Sequence, residues 1–324
     1  MKNTHTSHEN MNYDNAEDNP NDFVEAMADI GEFRPKFPGV KQIEQMDFKN
    51  LSEKDERLLC DTVADYFVKN FGEYDGVTEN AERYKNSVRF LHHDEFKDVF
   101  SRRDPRYVDG EENTTRGFYN EEDHLIYFNT DLTRDNDETF NVLIHESFHF
   151  FGIENGAGFS PNVSPFYVPE EVVKTEEDAQ LFREGVQVFY EGATQFLAYE
   201  AGGRMGLDSY CDSYPVESRL ASRICNVMGH DNYEYAYFET PLEIFRVQFE
   251  AAGMSQEELT EADEVKTGEF SRFLKGLALC SNHCKELLPP DGSEPSDEAW
   301  EEISAIMDDD YADKLADYLY GDKE

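Results

Sequence analysis

Two histidines stand four positions apart around a glutamate in the stretch His145-Glu146-Ser147-Phe148-His149. On an α-helix that spacing offsets the rings by about 40° around the axis and about 6 Å along it, so both imidazoles can reach one metal ion. Glu146 follows the first histidine and therefore lies to one side of the pair. A carboxylate there suits a hydrogen bond to metal-bound water better than a bond to the metal itself. The chemistry open to such a trio is specific. Neutral imidazoles bind Zn2+, the ion acidifies its water, and the glutamate removes the proton. The chain holds nine His and 41 Glu in 324 residues. That composition alone predicts about 0.03 chance occurrences of the pattern.

A catalytic zinc takes three protein ligands and keeps one position open. Two routes lead to the third. One extends the motif to H-E-x-x-H-x-x-G-x-x-H; Gly152 fits it, but Asn155 stands where a histidine or aspartate is needed, and Asn is a poor zinc ligand. The other is a glutamate on a later helix. In Phe189-Tyr190-Glu191-Gly192-Ala193-Thr194-Gln195-Phe196-Leu197, Glu191 sits among apolar residues. An unpaired carboxylate is costly to bury in such a place, and a metal ion would offset the cost. The competing reading puts Glu191 on a partly exposed polar face. If Glu191 is not the ligand, Glu154 is the next to try.

With these residues the chain resembles the gluzincin metallopeptidases, the thermolysin-like group. Their pattern is H-E-x-x-H on one helix and a glutamate ligand on the next, often in a segment like E-G-x-T-E. The counterpart here is Glu191-Gly192-Ala193-Thr194-Gln195, and the likeness covers roughly residues 114–238. The resemblance implies His145, His149 and Glu191 as Zn2+ ligands and Glu146 as general base in peptide-bond hydrolysis. It also implies an α+β, zincin-like fold: a small twisted sheet over the active-site helix, a mostly helical C-terminal lobe, and a cleft between the lobes. Gln195 stands where the family often has an acid that hydrogen-bonds a ligand histidine. A glutamine can accept that bond through its amide oxygen, but it orients the ring less strongly. His230, Tyr190, Tyr199 and Tyr214 are the candidate donors to an oxyanion. Two other functions stay open: a non-catalytic binding protein on the same scaffold, and an acidic inhibitor or mimic of a basic partner.

The charge balance narrows the partners. With 29 basic and 71 acidic residues, the net charge is −42. Such a surface repels nucleic-acid backbones and anionic membranes. It leaves a peptide or protein substrate, with a cationic one favoured. The five cysteines (Cys60, Cys211, Cys225, Cys280, Cys284) are odd in number and make no dense framework, so reduced thiols are expected. Cys280 and Cys284 read as structural residues on a helix. No apolar run follows Lys2, and no stretch approaches the roughly 18 apolar residues of a membrane span. The expected location is the cytoplasm.

The elements that must position the motif follow from periodicity. Residues 1–20 read as a disordered acidic tail, 21–152 as an N-terminal α+β lobe ending in the active-site helix, and 153–324 as a helical C-terminal lobe. Ser52-Glu53-Lys54-Asp55 is a capping box opening a helix that ends at Gly72. Val88 to Leu91 reads as a strand and Asp94 to Phe100 as a short helix. Thr114 to Asn120 and His124 to Asn129 read as a strand pair joined by a polar turn. In a zinc peptidase such an edge strand lies over the active-site helix and receives extended substrate. Asp137 is the expected N-cap of the motif helix, with Gly152 its stop. Ile144, Phe148 and Phe151 face the core and Val142, His145 and His149 share another side. A long helix runs from Glu176 toward Gly202-Gly203, where Gly185 and Gly192 imply close helix packing, a kink or a backbone near the site. Further helices are expected over Val216 to Met228, after Ser255, over Phe270 to Leu279, and from Asp297, with Trp300, Ile303 and Met307 inward.

Overall fold

The computed structural model describes residues 36–74, 76–103, 115–132, 135–152, 175–207, 214–238, 274–289 and 295–307. The tail, Glu154, Asn155 and the expected helix after Ser255 lie outside the described residues. The chain is mostly helical, with one small mixed sheet preceding most of the helices.

The first short helix, α1 (Val40–Ile43), and a 3-10 turn at Phe48–Asn50 lead into α2 (Glu53–Phe71). The capping box at its start forms as expected, with Ser52 and Asp55 each accepting the other's backbone N–H. Helix α3 (Val77–Tyr84) follows. Strand β1 (Val88–Leu91) has the expected bounds, and α4 (His93–Arg103) runs one turn longer than the expected helix. Strands β2 (Gly117–Asn120) and β3 (Leu125–Asn129) pair antiparallel, with His124 in the left-handed region of the turn at φ 58°. β1 then pairs parallel with β3 from the other side, giving the order β1-β3-β2. Among the described residues β2 is thus an edge strand.

The motif helix, α5 (Asn136–Gly152), packs beneath this sheet. Its cap is Asp135 rather than Asp137: the Glu138 backbone N–H donates to Asp135 Oδ1 at 2.7 Å. Asn136 is committed elsewhere, its amide donating to the carbonyls of Glu44 and Met46. Both sides of the helix are covered, since every residue from Glu138 to Gly152 is buried. A helix apolar nearly all round belongs in the middle of a core. Phe148 contacts Phe67 and Phe71 of α2, and Phe151 stacks on Phe67 with ring centroids 4.2 Å apart. The Tyr84 hydroxyl of α3 hydrogen-bonds Ser147 Oγ at 2.7 Å. On the sheet side, Arg116 and Glu138 form a buried ion pair joining the start of β2 to the first turn of α5.

Helix α6 (Glu176–Met205) crosses α5, where the Asn141 amide donates to the Ala198 carbonyl. Phe182, Val186, Phe189, Ala193 and Leu197 of this helix are buried. The two mid-helix glycines mark close packing. A Cβ on Gly192 would fall 2.5 Å from the Glu217 carbonyl oxygen, and one on Gly185 would collide with the Leu274 carbonyl. Glu217 belongs to α7 (Pro215–Met228), which is followed by α8 (His230–Phe238). Leu274 belongs to α9, helical over the described residues 274–286. Cys280 and Cys284 lie on α9, buried and in no disulfide, as are Cys60 and Cys225 elsewhere. The last described helix, α10 (Asp297–Met307), buries Ile303 and Met307 and stacks Trp300 under Arg219. No described helix is long and apolar enough to cross a membrane.

Candidate metal centre

His145 and His149 project from the same side of α5 toward α6. Their Nε2 atoms lie 3.1 Å apart, and each stands 3.4 Å from Glu191 Oε2 on α6. The spacing of four residues does what helical geometry dictates, and α6 supplies the third donor from across the interface. Four ligands about 2.0–2.1 Å from a tetrahedral ion stand about 3.3 Å from one another. The three donor atoms therefore already occupy corners of a polyhedron of the right size for zinc, and two neutral imidazoles with one carboxylate is a donor set zinc accepts. Both histidines are buried, whereas the Glu191 side chain keeps 17 % of its surface exposed. Glu191 thus stands beside both histidines at a partly exposed position.

Burial works to raise the Glu191 carboxyl, but the charges of His149 and His145 and their hydrogen bonds outweigh it and hold the group well below the usual carboxylate range. Glu146 behaves oppositely. Burial, helped by the charge of Glu191, raises it to about 7 against the charge on His145, the Tyr119 N–H and the Arg103 guanidinium, which lower it. Its Oε2 accepts the Tyr119 backbone N–H at 2.8 Å. This bond pins the carboxylate between α5 and β2. The closeness of that strand depends on Gly117: a Cβ there would sit 3.1 Å from Glu146 Cγ.

Outside the three donors, the surroundings differ from expectation at Gln195. Its amide nitrogen donates to Asn141 Oδ1 at 3.4 Å, and among the described residues it forms no bond to a histidine. His145 Nδ1 and Gln195 Oε1 are both buried without a partner in that set. Thr194, one position earlier, lies nearer to a ligand ring: its hydroxyl is 3.5 Å from His149 Nδ1, donates to the Tyr190 carbonyl at 2.9 Å and meets the Tyr237 hydroxyl at 2.8 Å. Sequence reasoning did not single out Thr194 or Tyr237, although Thr194 falls within the segment that carries Glu191.

Of the four candidate oxyanion donors, Tyr214 is the one the fold places against both helices' donors. Its ring stacks on His145 with centroids 5.7 Å apart. The charge of Glu191 and then burial push its hydroxyl well above the usual tyrosine range. Tyr214 adopts φ 56°, a left-handed conformation rare outside glycine, at the cap of α7. Tyr190 lies beside His149, with centroids 4.8 Å apart. Tyr199 packs on the core at a partly buried position. His230 is removed from the centre. It joins a second cluster in which Glu200 Oε2 stands 2.6 Å from His230 Nε2 and Glu234 Oε1 stands 3.4 Å from His230 Nδ1. The Arg204 guanidinium reaches both carboxylates, at 3.7 and 3.3 Å, so this cluster already holds its own cation. His92 and His93 are engaged by Asp131 and Asn129 and take no part in either group.

No family model, curated protein or solved structure matches the chain. The likeness to a zincin centre therefore resides in the motif and in the convergence of His145, His149 and Glu191.

Proposed function

We propose that this protein is a zinc-dependent peptidase that binds Zn2+ through His145, His149 and Glu191 and uses Glu146 as its general base. The observation that carries the reading is the triangle of Nε2, Nε2 and Oε2 atoms at 3.1, 3.4 and 3.4 Å. Bound there, zinc would supply a Lewis acid and lower the pKa of a coordinated water toward neutrality.

The protein's own groups divide the remaining work. Glu146 has Oε2 tied to Tyr119, which leaves Oε1 to take a proton from water and return it to the leaving amine. A carboxyl raised to about 7 is suited to both transfers near neutral pH. Tyr214, stacked on His145 and hydrogen-bonded to Glu191, would exchange that bond for one to the developing oxyanion. Thr194 beside His149 Nδ1 favours the tautomer whose Nε2 lone pair faces the centre. Strand β2, with Glu146 bonded to its backbone, offers the edge on which an extended peptide would lie as a further strand.

The test is hydrolysis of a mixed peptide library by the zinc-loaded protein and its Glu146→Gln variant, with products read by mass spectrometry. The expected result is cleavage that disappears on chelation, returns with zinc, and falls by about 10²–10⁴-fold in the variant, the scale of a lost general base. Cleavage unaffected by Glu146→Gln, or none in zinc-loaded wild type, would overturn the reading. The second outcome would favour a binding protein on the same scaffold.

A further inference from the structure

The face of the sheet turned away from α5 carries an unusual charge for this chain. Register places Arg89 of β1 opposite Tyr127 of β3, and Tyr127 opposite Phe118 of β2. Directly opposed residues share a face, so these three form one row across the sheet. Helix α4 covers part of that face through Phe96 and Phe100, which pack on Phe118. At the end of α4 the Arg103 guanidinium lies over the Phe118 ring, 4.9 Å from its centroid. Arg102 donates to the Asp98 backbone carbonyl, and Arg89 to the carbonyls of Asn86 and Val88. Arg89, Arg102 and Arg103 are all exposed, and none pairs with a carboxylate among the described residues. In a protein with 71 acidic and 29 basic residues, three such guanidiniums on one sheet face stand out.

The row ends at the edge of β2 that no other described strand pairs with. Asn129 donates its N–H to the Arg116 carbonyl, so alternate residues from Arg116 turn their backbone groups toward β3. Gly117 and Tyr119 turn theirs to the edge, and there the Tyr119 N–H meets Glu146. A peptide added antiparallel at this edge places one residue opposite Phe118 in a non-hydrogen-bonded pair, where side chains approach most closely, with Cα atoms about 4.5 Å apart. That side chain points to the face of Phe118 and Arg103. A guanidinium stacked on an aromatic ring keeps its planar edge of N–H donors free for a bidentate carboxylate.

We propose that Arg103, held on Phe118 and backed by Arg102 and Arg89, selects peptide substrates that carry an aspartate or glutamate at the position opposite Phe118. This rests on the peptidase reading above and refines it. It also reverses the expectation of a cationic substrate, because the charge local to the binding edge, not the net charge, faces the substrate side chain.

The test is a cleavage profile of a diverse peptide library by the zinc-loaded wild type, Arg103→Gln, Arg103→Lys and the remote control Arg57→Gln, each checked for folding by thermal melt. Wild type is expected to favour Asp or Glu at a single position near the scissile bond by about tenfold, the scale of one partly shielded bidentate pair. Arg103→Gln is expected to lose that preference through a rise in KM for the acidic peptide. Arg103→Lys should recover it only in part, and Arg57→Gln should leave it intact. An absence of acidic preference, or a preference that survives Arg103→Gln, would overturn this inference while leaving the peptidase reading in place. Zinc-loaded wild type that cleaves nothing would overturn the peptidase reading and this one with it.

Discussion

At the scale of residues, two carboxylates in adjoining positions of the site are driven in opposite directions. In the metal-free protein the charges and hydrogen bonds of His149 and His145 hold Glu191 low against its burial, while burial raises Glu146 to about 7. The hydroxyl of Tyr214 makes the next prediction. If it donates to the oxyanion, Tyr214→Phe should lower kcat by about 10²–10³-fold, the cost of one lost oxyanion donor, with KM and zinc content unchanged. A steady-state comparison with wild type checks this, and a change confined to KM would assign Tyr214 to substrate positioning instead. The motif residues were legible in the sequence because a four-residue helical spacing and a mid-helix carboxylate each have one economical explanation. Thr194 and the Tyr119 N–H were not, since a hydroxyl and a backbone donor carry no signal until a neighbouring element is placed beside them. Gln195 was expected to hold a ligand histidine and instead meets Asn141.

At the scale of elements, the interface between α6 and its neighbours positions Glu191. Gly192 follows Glu191 directly and lets the α7 backbone approach, so Gly192→Ala should destabilise the protein by about 1–3 kcal/mol through overpacking. Denaturant unfolding measures the loss, and zinc should still bind at temperatures where the variant is folded. Helices α6 and α8 are tied by Glu200, Arg204, His230 and Glu234. Burial alone would lower the His230 pKa, but the hydrogen bond and charge of Glu200, with the charge of Glu234, raise it above its ordinary 6.5. A histidine raised on folding contributes stability that is fully present below its unfolded pKa and is lost as pH rises through the folded value. Wild type should therefore lose Tm from mildly acidic to alkaline pH, and His230→Gln should show a flatter profile. Equal slopes in the two proteins would show that the cluster does not titrate in this way. Strand β1, the box at Ser52 and the helix after Pro215 were readable from local periodicity and capping. The cap of α5 was misplaced because Asn136 is claimed by carbonyls ninety or more positions earlier in the chain. The parallel pairing of β1 with β3 was not readable, since it joins strands separated by α4.

At the scale of the whole molecule, the fold wraps a nearly all-buried helix in α2, α3, the sheet, α6 and α8, and so presents two histidines to a carboxylate from a helix far along the chain. A net charge of −42 says little about where a substrate sits, because the sheet face nearest the β2 edge carries arginines. It does mean that cations concentrate around the protein, so a metal assay must separate the specific site from diffuse association. The most direct test is the metal content of the dialysed, zinc-reconstituted protein beside His149→Ala and Glu191→Ala, with folding of each variant checked by circular dichroism. One tightly held zinc per wild-type chain, lost from both folded variants, is the predicted result. Zinc retained in both, or absent from reconstituted wild type, would contradict the assignment of His145, His149 and Glu191 as a metal centre.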